Sequence, residues 1–345
     1  MTDAPGPGGS VPPEPPPSRR SAADVRRAQA AGEAGSPSHM RAARAEFETH
    51  VAHARAEFEE ANERIKQRTG RDLIVAIAIG LAIGAVVIAS LIFYKWIFVI
   101  FAIAAMSLGV FEFTRALLAA GRRVDVIPQL TCGVALLLSG YFLPLWLHWI
   151  VTIVVVVFLI VWRLLAQMIA HDGRTYAAVV SDVLTTGFVQ LYVPFLGSLA
   201  LILLARPGGE WWVLAFIIVT VAADTGAYGA GLSFGRHPMA PRISPKKTWE
   251  GFAGSLVAAL IAGVLLAIYM LGLPWWAGLI FGAAITATAT IGDLGESMIK
   301  RDLGIKDMSS WLPGHGGVLD RLDSILPSAT AALALSYLLA PLVVS

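Results

Sequence analysis

From Leu73 to the C-terminus, run after run of about 20 apolar residues follows with only short interruptions, the length an α-helix needs to cross the hydrocarbon core of a bilayer. The runs lie near 73–93, 96–114, 127–147, 149–169, 180–204, 211–232, 252–272, 275–298 and 326–344. They predict an all-α polytopic membrane protein of about nine transmembrane helices. Only 14% of the 345 residues are charged, where soluble domains carry about a quarter. The first run starts far beyond the roughly 15–30 residues that hold a secretory signal, so it is expected to remain as an anchor.

Lysine and arginine favour cytoplasmic loops. Turnarounds after the even-numbered runs hold thirteen of them, from Arg115 to Arg321 and with Arg163 among them, whereas the odd-numbered ones hold Lys95 and Arg206. The expected N-terminus is therefore cytosolic and the C-terminus outside, which an odd number of spans requires. Tyr94/Trp96, Trp146/Trp149, Trp211/Trp212 and Trp275/Trp276 fall at the predicted outer interface, where amphipathic rings collect.

The N-terminal part differs in kind. Residues 1–72 carry 11 of the 26 Lys/Arg and 11 of the 24 Asp/Glu. Residues 1–37 open on a Pro/Gly-rich stretch with little to bury and are expected to be disordered. Residues 38–70 turn to Ala, Glu and Arg, repeat "ARAEFE" at 43–48 and 54–59, and predict an amphipathic cytosolic helix. Residues 71–345 form the membrane domain. The lone cysteine, Cys132, reads as a small buried hydrophobe.

Two polar segments interrupt the apolar pattern. In the first, Asp224 stands inside a hydrophobic run, where an isolated carboxylate is costly and faces a cavity or a cation. Ser244, Lys246, Lys247, Thr248 and Glu250 follow just before the next helix, a position suited to anionic oxygens, although a stop-transfer charge cluster would look similar. In the second, Asp293 and Glu296 stand i, i+3, as do Asp320 and Asp323 if the segment after Gly317 is helical. An ordinary i, i+4 salt bridge to Lys300 accounts for Glu296 equally well. Asp293 lies near the lipid boundary with few cations close in sequence. Carboxylates converging with phosphate oxygens suit Mg²⁺, while Lys300, Arg301, Lys306 and Arg321 could neutralise the remaining phosphate charge. Without neighbouring Cys or His, His315 does not indicate zinc.

Ser297-x-x-Lys300-Arg301, Lys306-Asp307 and Leu312-Pro313-x-His315-Gly316-Gly317-x-x-Asp320-Arg321-x-Asp323 together resemble the signature of the CDP-diacylglycerol synthases, or phosphatidate cytidylyltransferases. "SPKKTWEG" at 244–251 is similar to a second recurrent motif of that family, and the resemblance runs from about residue 73 to 345. It implies that the phosphate of phosphatidic acid attacks the α-phosphate of CTP, releasing pyrophosphate and leaving CDP-diacylglycerol for phospholipid synthesis. On this resemblance Asp293 and Asp320 are the expected metal-holding residues, for Mg²⁺ and, if there is one, a second cation. Lys300, Arg301 and Arg321 join them as catalytic residues. Ser244, Lys246, Lys247, Thr248, Lys306, His315, Gly316, Gly317, Asp224 and Asp323 are the expected substrate contacts.

The implied partners are CTP, phosphatidic acid and the lipid bilayer, with a second copy of the chain joined through the N-terminal helix and no nucleic acid. The implied location is the inner membrane, with the site facing the cytosol. Two rival readings remain: a CTP-dependent lipid kinase, which would transfer the γ-phosphate, and a cation-coupled transporter, which could also own intramembrane carboxylates.

Overall fold

A computed structural model describes residues 49–50, 53, 73–170, 173–309 and 316–342. The chain divides into two units, 1–70 and 71–345. The tail expected over 1–37, nearly all of the helix expected over 38–70, and His315 lie outside the described residues.

Each apolar run of the second unit is helical over most of its described length. Helix α1 (Leu73–Phe93) is followed, across an extended Tyr94, by α2 (Lys95–Ala119). Next come α3 (Val126–Phe142) and α4 (Leu145–Ala170), separated at Pro144, whose ring and missing N–H oppose helix continuation. Helices α5 (Tyr176–Gln190) and α6 (Leu196–Ala205) are joined by a π-helical turn, Leu191–Phe195, that contains Pro194. The widened turn accommodates a proline that a regular α-turn would exclude. Helix α7 (Gly209–Phe234) leads into strands β1 (Pro238–Ala240) and β2 (Ser244–Thr248). The remainder is α8 (Trp249–Tyr269), α9 (Trp275–Asp302), the short α10 (Leu319–Leu322) and α11 (Ile325–Leu338).

Among the described residues, six stretches are long and apolar enough to cross a membrane: Lys95–Ala119, Leu145–Ala170, Tyr176–Ala205, Gly209–Phe234, Trp249–Tyr269 and Trp275–Asp302. The protein is an all-α polytopic membrane protein with one small β-hairpin. Arg163, grouped by sequence with the loop cations, instead lies within α4, buried, with Asp125 3.7 Å away.

Small residues set how closely the three helices around the polar segments pack. A Cβ on Gly226 of α7 would lie 2.6 Å from the Gly254 carbonyl of α8, and one on Gly278 of α9 would lie 2.6 Å from the Gly263 carbonyl of α8. Backbone meets backbone along both seams, the arrangement that small residues permit in membranes. On the far side, Phe113, Phe216, Phe281 and Ile285 sit in a continuous apolar core. Helices α7 and α9 thus run side by side and present their C-terminal ends together with the start of α8.

Candidate active site

A cavity of about 460 Å³ opens where the C-terminal halves of α7 and α9, strand β2, the first turns of α8 and the turn around α10 meet. Its wall brings together Asp224 from α7, Lys246, Lys247 and Thr248 from β2, Asp293 and Lys300 from α9, and Asp320, Arg321 and Asp323 from the α10 turn. These are most of the residues singled out in the sequence, and no local spacing links the four elements that carry them.

Lys300 organises one side of the cavity. Its ammonium donates to Asp320 Oδ1 at 2.8 Å and lies 3.5 Å from Glu296 Oε2, an ion-pair rather than hydrogen-bond distance. The i, i+4 pair with Glu296 is therefore present, and the second carboxylate comes from 20 residues further on. Asp320 Oδ2 accepts the backbone N–H groups of Gly317 at 2.8 Å and Met308 at 3.1 Å. Burial pushes the Asp320 carboxyl up, but the Lys300 and Gly317 hydrogen bonds outweigh it and hold the group below the usual carboxylate range. Gly316 adopts φ +84°, a left-handed conformation that glycine takes without a Cβ clash; it turns the chain so that the Gly317 N–H meets Asp320. The segment after Gly317 is helical, as its i, i+3 carboxylates require.

On the opposite side, Lys247 forms an ion pair with Asp293. The cation that accompanies Asp293 thus comes from the hairpin, 46 positions away in the sequence. The hairpin pairs Pro238 with Thr248 and Ala240 with Ser244. Thr248 ends it by capping α8, its Oγ1 accepting the Gly251 N–H at 3.1 Å. Glu250 closes the base by accepting the N–H groups of Arg236 and His237, both at 3.2 Å, and pairing with the His237 ring at 2.5 Å.

Several expected residues stand elsewhere. Ser244, Arg301 and Lys306 are not in the cavity wall. The Arg301 side chain donates from Nε to the Ile243 carbonyl and from Nη1 to the Ile305 carbonyl, each at 3.2 Å, which ties the hairpin tip to the end of α9. Gly316 and Gly317 serve the site through backbone geometry, not by lining it.

Asp307, quoted above only as part of the signature, also lines the wall, and the structure adds residues not singled out in the sequence: Tyr228, Ser255 and Thr290 in the wall, and behind it Glu112. Glu112 sits in α2, 2% exposed. It was findable, because it is a carboxylate inside an apolar run, the same signal that drew attention to Asp224.

As to metal chemistry, no cluster of three or more His, Cys, Asp or Glu arranged for a cation occurs among the described residues. The donor set suits Mg²⁺ shared with a ligand's phosphates, because that ion is usually held by one or two carboxylates and keeps its remaining positions for water and phosphate oxygens. Asp224, Asp293 and Asp323 face one cavity, and behind them lies the fully buried Glu296, 3.5 Å from the Lys300 ammonium. Asp320 keeps spare acceptor capacity beside its three hydrogen bonds, since a carboxylate offers about four lone-pair sites. So dense a group of carboxylates calls for cationic charge.

Residues 74–339 match the model of the cytidylyltransferase family. A phosphatidate cytidylyltransferase of Mycobacterium bovis is 42% identical over 278 residues, which cover 77% of this chain and 88% of the relative. One of Mycobacterium leprae is 40% identical over 79% of this chain and 90% of its own length. A chloroplastic phosphatidate cytidylyltransferase of Arabidopsis thaliana is 29% identical over 81% of this chain and 74% of its own.

Proposed function

The chain belongs to the cytidylyltransferase family, and from that premise we propose that it transfers the cytidylyl group of CTP to phosphatidic acid, forming CDP-diacylglycerol and pyrophosphate. The observation that carries the proposal is the convergence of Lys247, Lys300 and Arg321 with Asp224, Asp293, Asp320 and Asp323 around one cavity.

The chemistry needs little more than positioning. A phosphate monoester has a second pKa of about 6, so the lipid phosphate is mostly dianionic at neutral pH and needs no general base. One of its oxygens forms a bond to the α-phosphorus of CTP as the bond from that phosphorus to the β-phosphate oxygen breaks, and pyrophosphate leaves with both electrons. Lys247, Lys300 and Arg321, with Lys246 beside them, neutralise charge on the reacting phosphates and on the departing pyrophosphate. Incoming phosphates compete with Asp293 for Lys247, which exchanges an internal ion pair for one with the nucleotide. Mg²⁺, held by Asp293 and Asp320, would supply Lewis-acid stabilisation of the α-phosphate and leaving-group oxygens.

The diacyl substrate enters from the bilayer. Support comes from exposed apolar side chains: Tyr228 in the cavity wall, and Leu232 and Trp249, which follow the wall residues Gly231 and Thr248 in the sequence. We further propose nine crossings, with the N-terminus and the site on the cytosolic side of the inner membrane and the C-terminus outside. The exposed Trp96, Trp146, Trp211 and Trp275 at the N-terminal ends of α2, α4, α7 and α9 support this orientation, because α7 and α9 run from those tryptophans toward the cavity.

Supplying the purified protein with phosphatidic acid, Mg²⁺ and CTP labelled separately at the α- and γ-phosphates tests the reaction. Chloroform-soluble α label that disappears when Mg²⁺ is chelated is expected. Lipid carrying the γ label would make the protein a kinase and refute the proposal.

A further inference from the structure

A carboxylate seven residues before the end of a 25-residue apolar helix is about 10 Å from that end, and it needs a reason to be there. Glu112 is 2% exposed and does not line the cavity. Its two oxygens are divided between two points of the chain some 200 residues away: Oε1 accepts the Ser309 hydroxyl at 2.5 Å, and Oε2 accepts the backbone N–H of Leu319 at 2.9 Å. Leu319 is the first residue of α10, whose N-cap position, Val318, provides no side-chain hydrogen bond. Glu112 supplies from α2 the acceptor that a serine or aspartate would normally supply at a helix start.

The turn before α10 runs in a narrow slot. A Cβ on Gly317 would lie 2.8 Å from Glu112 Oε2 and 3.1 Å from Asp320 Oδ2, so the backbone passes between a carboxylate behind the site and one inside it. Apolar packing holds the same turn to the same helix: a Cβ on Gly109, one turn before Glu112, would lie 3.7 Å from Leu319 and from Leu322. A continuous line of contacts then leads from Glu112 to the Leu319 N–H, to the adjacent Asp320, and to the Lys300 ammonium in the cavity.

We propose that Glu112 is a positioning residue for cytidylyl transfer: by clamping Ser309 and Leu319 to α2 it sets the placement of Asp320, and through it Lys300, against the reacting phosphates. The proposal rests on the cytidylyltransferase reading of the cavity. Glu112 contributes two acceptor oxygens and their location. Its negative charge is not required, because a glutamine can accept from the Leu319 N–H with its oxygen and donate to the Ser309 oxygen with its amide.

Glu112→Gln, Glu112→Ala and Ser309→Ala, made in the full chain and purified in phosphatidic acid-containing micelles, test it. Rates are normalised to folded protein, and deuterium uptake of the 316–322 segment is followed in parallel. Displacing a catalytic group by about 1 Å costs about 100-fold in rate, so Glu112→Ala is expected to lower kcat/KM by about that factor. Ser309→Ala, which removes one hydrogen bond to a charged group, is expected to lower it by about tenfold. Glu112→Gln should retain most of the activity. Deuterium uptake should rise in the alanine variant and stay near wild type in the glutamine variant.

Kinetics within about threefold of wild type for folded Glu112→Ala, the scatter of a neutral substitution, would overturn the proposal. So would an equal loss in the glutamine and alanine variants, which would make charge the requirement. If Glu112→Ala does not fold, an unaltered kcat/KM in Ser309→Ala would also overturn it. A wild-type protein without transferase activity would refute the assigned reaction instead, and the exchange measurement would still decide whether Glu112 holds the turn.

Discussion

Lys300→Met replaces an ammonium by an uncharged chain of similar length and leaves its carboxylate neighbours behind. The Lys300 side chain is 13% exposed, and its partners Asp320 and Glu296 are 6% and 0% exposed. Removing one member of a buried ion pair costs about 3–5 kcal/mol, because the remaining charge has no compensation. The cavity admits water to Asp320, so the lower end applies and we expect a loss of about 3 kcal/mol at neutral pH. Acid should narrow the deficit. In the wild type the folded Asp320 carboxyl lies below its unfolded value despite burial, owing to Lys300 and the Gly317 N–H. Its contribution is thus complete above about pH 4 and is lost as pH falls through the lower folded value. In Lys300→Met, burial is opposed by the Gly317 contact and not by a cation, so the Asp320 carboxyl rises. The variant therefore stands furthest below wild type at neutral pH and approaches it as the pH falls toward about 4. Adding Glu296→Gln, which puts a neutral amide at the buried position 3.5 Å from the Lys300 ammonium, measures the coupling within the cluster, expected at about 0.5–3 kcal/mol. Denaturant unfolding in micelles across the pH range measures all of these quantities. A Lys300→Met protein within about 1 kcal/mol of wild type at neutral pH, or one whose deficit widens on acidification, would refute the reasoning.

Arg301→Ala releases the hairpin tip from α9 by removing hydrogen bonds to Ile243 and Ile305. At about 1 kcal/mol each, their loss should raise KM for CTP by up to about 30-fold in steady-state assays while kcat changes less, since Lys247 remains present but less well held. Gly292→Ala places a Cβ against the Asp323 carbonyl and 2.7 Å from Pro327 Cγ. Overpacking between α9 and the start of α11 should cost about 1–3 kcal/mol in denaturant unfolding and should lower activity by shifting Asp323.

What could be read in advance followed from strong, short-range signals. An apolar run about 20 residues long declares a helix whatever its neighbours do, so most of the described length of every expected run from Leu73 onward is helical. The dense polar pattern from Ser297 to Asp323 likewise contains Lys300, Asp307, Asp320, Arg321 and Asp323 of the cavity wall. What escaped depended on distance in sequence. Strand β2 is five residues long and contains Pro245, so it shows no alternation by which to recognise a strand. Asp293 read as poor in cations because its partner Lys247 belongs to that hairpin. Arg301 was grouped with the phosphate-binding cations by its neighbour Lys300, yet the two side chains leave α9 in different directions: one enters the cavity and the other holds the hairpin. Glu112 carried a local signal, but its partners Ser309 and Leu319 are joined to it only by the fold.

The central claim is that this cavity performs the transfer, and Asp293 tests it most directly because it lines the wall and pairs with Lys247. The decisive measurement is single-turnover release of pyrophosphate from CTP and phosphatidic acid by wild-type protein and by Asp293→Asn. The account predicts one pyrophosphate per CDP-diacylglycerol formed by the wild type and a rate lower by about 10²–10³ in a folded Asp293→Asn protein. A folded variant that keeps the wild-type rate, or a wild type that forms the lipid nucleotide without releasing pyrophosphate, would contradict it.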